Sequence, residues 1–270
     1  MSKKQTYKEE VRSKKRKAQV IAHILWSIAA VFFVFGAMHI LFFARMFDIR
    51  VIDLKMPAVL SQEEVKKVIN EWLDDGFWKL TRRNNSILFS FDGLKFRLEQ
   101  NFLRIANVKV EKRNIHELEI EITNRKAVGV WCLSKQDNCY LFDAGGIAFL
   151  ETKPSSGSLF AIVDDRRDIF INLGSNVAPS SKLDSILLSR RLLQFGGLGI
   201  RKYIIEPGYT SNFDIITAEN WKIFLSGNVN INKQISAMFS VLKTKITPEE
   251  RSKLDYIDLR VPNRVDYKTY

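Results

Sequence analysis

Apolar and polar positions follow three regimes along the chain. The first is an unbroken run, "VIAHILWSIAAVFFVFGAMHILFF" (Val20–Phe43), inside a stretch from Lys17 to Arg45 with no charged residue between them. As a helix rising about 1.5 Å per residue it reaches about 36 Å, enough for a hydrocarbon core of about 30 Å. A core helix would show an amphipathic stripe, and this run is apolar on every face. A secretory signal would have a shorter apolar region and a clean small-x-small cleavage site. The run therefore predicts one transmembrane helix over 20–44. His23 and His39 fall near its ends as neutral interfacial residues, and Trp26 as a belt residue.

The second regime, 45–125, mixes both periods. "FDIRVIDL" (47–54) alternates as a strand. "LSQEEVKKVINEWLDDG" predicts a helix, with Ser61 as N-cap and Glu64 in the capping-box position. Val65, Val68, Ile69, Trp72 and Leu73 form its apolar stripe, and Gly76 closes it. A loop holding "TRRNN" leads to a second short helix in "SFDGLKFRLEQNF", and "NVKVEKRN" and "ELEIEITNRKAVGVW" predict two strands. In the latter, Leu118, Ile120 and Ile122 face one way and Glu117, Glu119 and Glu121 the other, as in a sheet with one wet face. The order is β-α-α-β-β.

The third regime is richer in strand. "VWCLSKQDNCYLFD" predicts a hairpin with the polar run Ser134–Asn138 as its turn, Cys132 opposite Cys139, Trp131 opposite Tyr140 and Val130 opposite Leu141. "YLFDAGGIAF" turns back at Ala144-Gly145-Gly146, and "PSSGS" (154–158) is a turn cluster. "SSKLDSILLSRRLLQFGG" predicts a helix with Leu183, Ile186, Leu187, Arg190 and Leu193 on one side. "KYIIEP", "NFDIITA" and "WKIFLSG" predict three strands. "NINKQISAMFSVLKTKI" predicts a helix turning Ile231, Ile235, Met238, Phe239 and Leu242 inward, and "TPEERSKL" a short one opened by Pro248. The last strand runs Tyr256–Val261, with Ile257, Leu259 and Val261 toward the core and Tyr256, Asp258 and Arg260 on the other face. The whole predicts an α+β fold: basic tail 1–19, membrane helix 20–44, a unit at 45–125, a mixed β-rich domain with flanking helices at 126–262, and a C-terminal tail at 263–270.

Charge sets the orientation. The formal net charge is +12, from 42 Lys+Arg against 30 Asp+Glu, and residues 1–17 hold eight Lys/Arg and two Glu. Such a tail can grip nucleic acid or anionic lipid. As the flank of an apolar span it is a topology signal that needs no partner: it stays in the cytoplasm, and residues 45–270 cross the membrane. An extracytoplasmic site permits a Cys132–Cys139 disulfide, since directly opposed non-hydrogen-bonded positions lie about 4.5 Å apart at Cα. The other reading is two free thiols in a half-buried hairpin. The spacing excludes CxxC redox chemistry.

Catalytic signals are sparse. His116 alone lies outside the span, in a strand-to-strand turn, and no GxSxG, P-loop, GxGxxG or HExxH occurs. "GGLG" (196–199) is a helix terminus. "DDRRD" (164–168) is a loop with local ion pairs, or the acid cluster of a membrane-anchored envelope enzyme acting on glycan through Asp164, Asp165 and Asp168.

Taken together, "ANVKVEKRN…LEIEITNRKAVGVW", "YLFDAGGIAF" and "YIDLRVPNRVDYK" resemble the bacterial cell-division protein family FtsQ/DivIB. They are similar, in order and spacing, to its strand pair leading to an ER-x-PVA-x-W signature, its yL-x-D-x-x-G-x-x-f hairpin and its last strand, y-x-DLR-f-pn-r-v-y-k. Asn124, Ala127 and Gly129 stand where that signature has Glu, Pro and Ala. The resemblance implies a POTRA-like first unit and a non-enzymatic divisome scaffold in the cell membrane, single-pass, its N-terminus cytoplasmic. The implied partners are bitopic division proteins of the FtsB/DivIC and FtsL types, with no cofactor, nucleic acid or small-molecule substrate. It places Arg260, Val261, Pro262, Asn263, Arg264 and Val265 at or near the partner site, beside Tyr256 and Asp258. There the last strand, left at a sheet edge, would accept an extended partner segment. A POTRA-type adaptor that binds polypeptide through 45–125 is a third reading.

Overall fold

The computed structural model describes residues 3–43, 45–75, 83–153 and 160–270. The turns expected at Gly76 and 154–158 lie outside the described residues. Helix α1 (Lys3–Phe43) is continuous, and its Gln19–Leu41 stretch is long and apolar enough to cross a membrane. The chain otherwise forms two compact units. One holds residues 1–100 and 108–122, the other 101–107 and 123–270.

In the first unit the strand expected from Phe47 starts only at β1 (Val51–Lys55). Arg45–Phe47 winds into a 3-10 turn, and Asp48 makes an isolated bridge to Asn85. Helix α2 (Gln62–Asp74) begins where the Ser61 hydroxyl accepts from the Glu64 amide, and it buries Val65, Ile69, Trp72 and Leu73. After α3 (Phe91–Asn101) come β2 (Ile105–Asn114) and β3 (Glu117–Asn124). The sheet order is β1-β3-β2, with β1 parallel to β3. Leu118, Ile120 and Ile122 are buried. On the wet face Glu119 pairs with Lys55 and Arg113.

The second unit carries β4 (Gly129–Leu133), β5 (Asn138–Phe142), β6 (Ala148–Thr152) and β7 (Ala161–Asp165). Then follow α4 (Ser180–Phe195), β8 (Ile200–Ile205), β9 (Asn212–Thr217), β10 (Lys222–Ser226), α5 (Ile231–Thr244), α6 (Pro248–Ser252), β11 (Leu254–Asp258) and β12 (Asp266–Thr269). All nine strands join one mixed sheet in the order β12-β11-β10-β9-β8-β7-β4-β5-β6. Helices α4 and α5 touch each other and lie against β8 and β10. Beneath them Trp131, Phe142, Tyr203, Phe213, Trp221 and Met238 share one buried core. The buried Gln234 docks α5: its amide accepts from the Ser226 N–H and donates to the Ser226 and Val229 carbonyls. "GGLG" forms the end of α4, with Gly197 in the left-handed region, φ 76°. The β4–β5 register pairs Cys132 with Cys139, Trp131 with Tyr140 and Val130 with Leu141, and the two cysteines are bonded.

Two expectations at the C-terminal end are corrected. The segment 263–270 is not a tail, because 266–269 is strand β12, antiparallel to β11. The chain reverses through Val261-Pro262-Asn263-Arg264. The Arg264 amide donates to the Val261 carbonyl, and Asn263 has φ 60°. Proline second and a left-handed Asn third in such a turn is the type II pattern. The last predicted strand is therefore not the rim. Strand β11 has β10 on one side and β12 on the other, and β12 ends the sheet. Val261 lies in the turn and is 52% exposed, not in the core; Ile257 and Leu259 are buried.

Candidate functional site

One line of directly paired positions crosses all nine strands. It runs Thr152, Cys139, Cys132, Asp164, Ile204, Asp214, Phe224, Asp258, Asp266. Paired positions share a face, so these residues lie on the side away from the buried Ile223, Ile257 and Met238. Four of them are aspartates, and basic residues answer each one differently.

Asp164 accepts from the Lys202 ammonium at 2.8 Å and from the Ser134 hydroxyl. Burial pushes its carboxyl up, but these two bonds more than offset that and hold it below the ordinary range. Asp258 takes a fork from Arg260, with Nε at 2.9 Å and the backbone N–H at 3.0 Å. Burial again works against ionisation, and the Arg260 bonds overcome it. Asp165 and Arg167, where β7 ends, make the same Asp-x-Arg fork with Nε at 2.9 Å. Asp214 is the exception. It is buried, its Oδ1 has no hydrogen-bond partner among the described residues, and burial pushes its carboxyl up to about 6.

The sequence-predicted partner residues gather at this end of the sheet in two groups. Tyr256, Asp258 and Arg260 flank Phe224 on the open face. The Tyr256 ring centroid is 5.2 Å from that of Phe224, and the Arg260 guanidinium lies 5.0 Å over it, within cation–π range. Val261, Pro262, Asn263 and Arg264 form the reversing turn. Beside it Asn230, the N-cap of α5, and Lys233 and Ala237 of that helix complete a groove of about 270 Å³. Val265 packs partly against the core.

Beyond them is the rim. Among the described residues β12 has one strand neighbour, β11, so its outer row of backbone N–H and C=O groups faces no strand. Tyr267, opposite Ile257, and Lys268, opposite Tyr256, lie on its two faces. Sequence reasoning missed Asp266, Tyr267 and Lys268 because it stopped at Pro262. The signal was the V-P-N-R turn followed by renewed alternation. Phe224 was missed too, although "WKIFLSG" alternates and puts it opposite the buried Ile223 and Leu225.

The three acids considered for catalysis are not assembled into one centre. Asp165 is fully buried, accepting from Trp131 Nε1 at 3.1 Å and from Arg167. Asp168 is exposed and 3.4 Å from Lys135. Asp164 lines a concavity of about 270 Å³ beside the Cys132–Cys139 bond. His116 sits in the β2–β3 turn, its Nδ1 2.9 Å from the Asp48 carbonyl. No protein-family model matches the chain, and no curated protein matches it.

Proposed function

We propose that this chain is a non-enzymatic, membrane-anchored scaffold of the FtsQ/DivIB kind, holding bitopic division proteins of the FtsB/DivIC and FtsL types outside the cytoplasm. Helix α1 is the single anchor, and the basic residues 1–17 keep its start in the cytoplasm. The first unit takes the place of a POTRA domain, in keeping with its β-α-α-β-β order. The second offers the docking edge.

The observation that carries this reading is β12, a short strand that, among the described residues, ends a nine-stranded sheet with one side unpaired. A partner segment that adds there gains backbone hydrogen bonds. Its alternate side chains would meet Tyr267 on one face and Asp266 and Lys268 on the other. The reversing turn at Val261–Arg264, the Arg260–Phe224 stack and the groove beside Lys233 extend that surface beyond the strand itself. Asp165 is buried under the fork from Arg167, and Asp164 is held by Lys202 and Ser134, which favours this reading over a glycan-cleaving enzyme that would need two carboxylates facing one cleft.

The test is co-purification of the full chain in detergent with a co-expressed FtsB/DivIC-type partner. Tyr267→Pro removes one backbone donor from the rim, while Phe195→Ala changes an exposed residue on α4. Loss of the partner with Tyr267→Pro alone, at an unchanged melting temperature, is the expected result. Undiminished capture by a folded Tyr267→Pro chain would overturn strand addition at β12.

A further inference from the structure

The residues that leave the apolar helix are stitched to two loops of the first unit. The Asn85 side-chain amide, itself buried, donates to the Leu41 carbonyl at 2.7 Å. That carbonyl belongs to the last turn of α1, whose C=O groups have no partner within the helix. The Ile49 amide donates to the Asn84 carbonyl, and the Ser86 amide to the Phe47 carbonyl at 2.7 Å. The second loop is the β2–β3 turn. His116 Nδ1 meets the Asp48 carbonyl, and the Arg50 and Val51 amides both donate to the His116 carbonyl. Lys112 ties the loops together through the Ser86 carbonyl at 2.5 Å.

Each stitched segment exposes large apolar side chains. Met46 is 59% exposed, Ile87 51%, Leu88 43% and Ile115 52%. Single exposed apolar residues are ordinary. Here four of them come from three separate segments, all hydrogen-bonded around the exit of one apolar helix. Arg45, Arg50 and Lys112 are exposed in the same segments. Ile87 lies two residues from Asn85, so its backbone is within about 7 Å of that of the residue gripping Leu41. Apolar side chains can enter a bilayer interface to a depth of about 5–10 Å.

We propose that Met46, Ile87, Leu88 and Ile115 form a lipid-facing collar, seating the first unit on the headgroup layer at the mouth of its own anchor. This rests on reading α1 as a membrane span. The occupant is the bilayer surface, because the Asn85 loop is hydrogen-bonded to the end of the apolar Gln19–Leu41 stretch and the exposed cations beside it suit lipid phosphates. The collar sets the height of the first unit above the bilayer and restricts its swing about the anchor.

The described cysteines are bonded to each other, so an added cysteine can be labelled selectively. The full chain carrying Leu88→Cys, Ile115→Cys, Phe33→Cys or Phe195→Cys is labelled with an environment-sensitive fluorophore. It is then reconstituted into vesicles of phosphatidylethanolamine and phosphatidylglycerol. Nitroxide lipids quench at headgroup or mid-chain depth. The collar predicts that labels at 88 and 115 lose most of their emission to the headgroup nitroxide, that 33 loses it to the mid-chain nitroxide, and that 195 loses none. It also predicts that adding Ile87→Asp restores emission at 88. Quenching at 33 without quenching at 88 and 115 would overturn the collar while leaving the span intact, and would assign the patch to a protein partner. No quenching at 33 would overturn the span, and the collar with it.

Discussion

Asp258 and Asp266 stand directly opposite each other across β11 and β12. Like charges so placed weaken a strand pair by a few tenths to about 1 kcal/mol. Each has its own arginine two residues away on the turn side: Arg260 forks onto Asp258, and Arg264 Nε reaches Asp266 at 2.9 Å. The order Asp-x-Arg, turn, Arg-x-Asp makes the hairpin electrostatically symmetrical. Removing one arginine should expose the repulsion. Arg264→Ala is expected to destabilise the second unit by about 1 kcal/mol at low salt. Asp266→Asn in the same chain should recover most of that. Urea unfolding followed by tryptophan fluorescence, run as a double-mutant cycle, measures the coupling; additive effects would show that none exists.

Gly129 leaves no room for a side chain. A Cβ there would fall 2.4 Å from Phe142 Cζ and 2.5 Å from the Ala161 carbonyl oxygen. The ring could shift, but the oxygen belongs to the parallel neighbour β7, which β4 holds in register. Gly129→Ala is expected to cost about 1–3 kcal/mol as overpacking. Gly145→Ala, whose nearest contact is 3.4 Å, should be close to neutral. Thermal unfolding of the two variants side by side checks this.

What could be read from the chain follows from how local each signal is. The Cys132–Cys139 register, the Ser61 cap and the Leu118/Ile120/Ile122 face rest on neighbours or alternation within one segment, and the structure shows them. Strand β7 has no reading of its own in the sequence, and its last two residues, Asp164 and Asp165, fall in the "DDRRD" stretch expected as a loop. "AIVDD" is short, its partners β4 and β8 are both parallel and distant in sequence, and it ends in two aspartates. Only the fork from Arg167 and the Trp131 indole make the buried Asp165 affordable there. The rim falls elsewhere for another reason: a proline after an alternating run marks a strand end, but Pro262 opens a type II turn from which the chain returns as β12. The row from Cys132 to Asp266 has no sequence signature, because its register is set strand by strand.

The disulfide closes a short loop, with a sequence separation of 7. In the chain-entropy picture a loop of that size contributes about 2–3 kcal/mol, less than a long one would. Paired Cys132→Ser and Cys139→Ser substitutions are expected to lower stability by about that much while leaving β12 and partner capture intact. Urea midpoints with and without reductant measure it. The unsubstituted chain should lose stability on reduction, and the substituted chain should not respond.

Asp214 gives the second unit a pH dependence of unusual sign for a carboxylate. Burial pushes its carboxyl up from 3.8 to about 6, and Glu206 adds to that; Arg260, Lys222 and a hydrogen bond to Tyr209 pull the other way. The folded state therefore binds this proton more tightly than the unfolded state does. The contribution to stability is fully present below about pH 3.8 and is lost as pH rises through about 6. Asp258, held low by Arg260, works in the opposite direction, so the effect appears only as a difference between chains. Asp214→Asn should flatten the slope between about pH 4 and 6 and stabilise the protein at pH 7 by on the order of 1 kcal/mol, after allowance for solvent screening. Arg260→Met should steepen the slope instead, because it removes the nearby cation that opposes protonation. Unfolding free energies measured across that range decide it, and equal slopes in Asp214→Asn and the unsubstituted chain would rule the buried carboxylate out as their source.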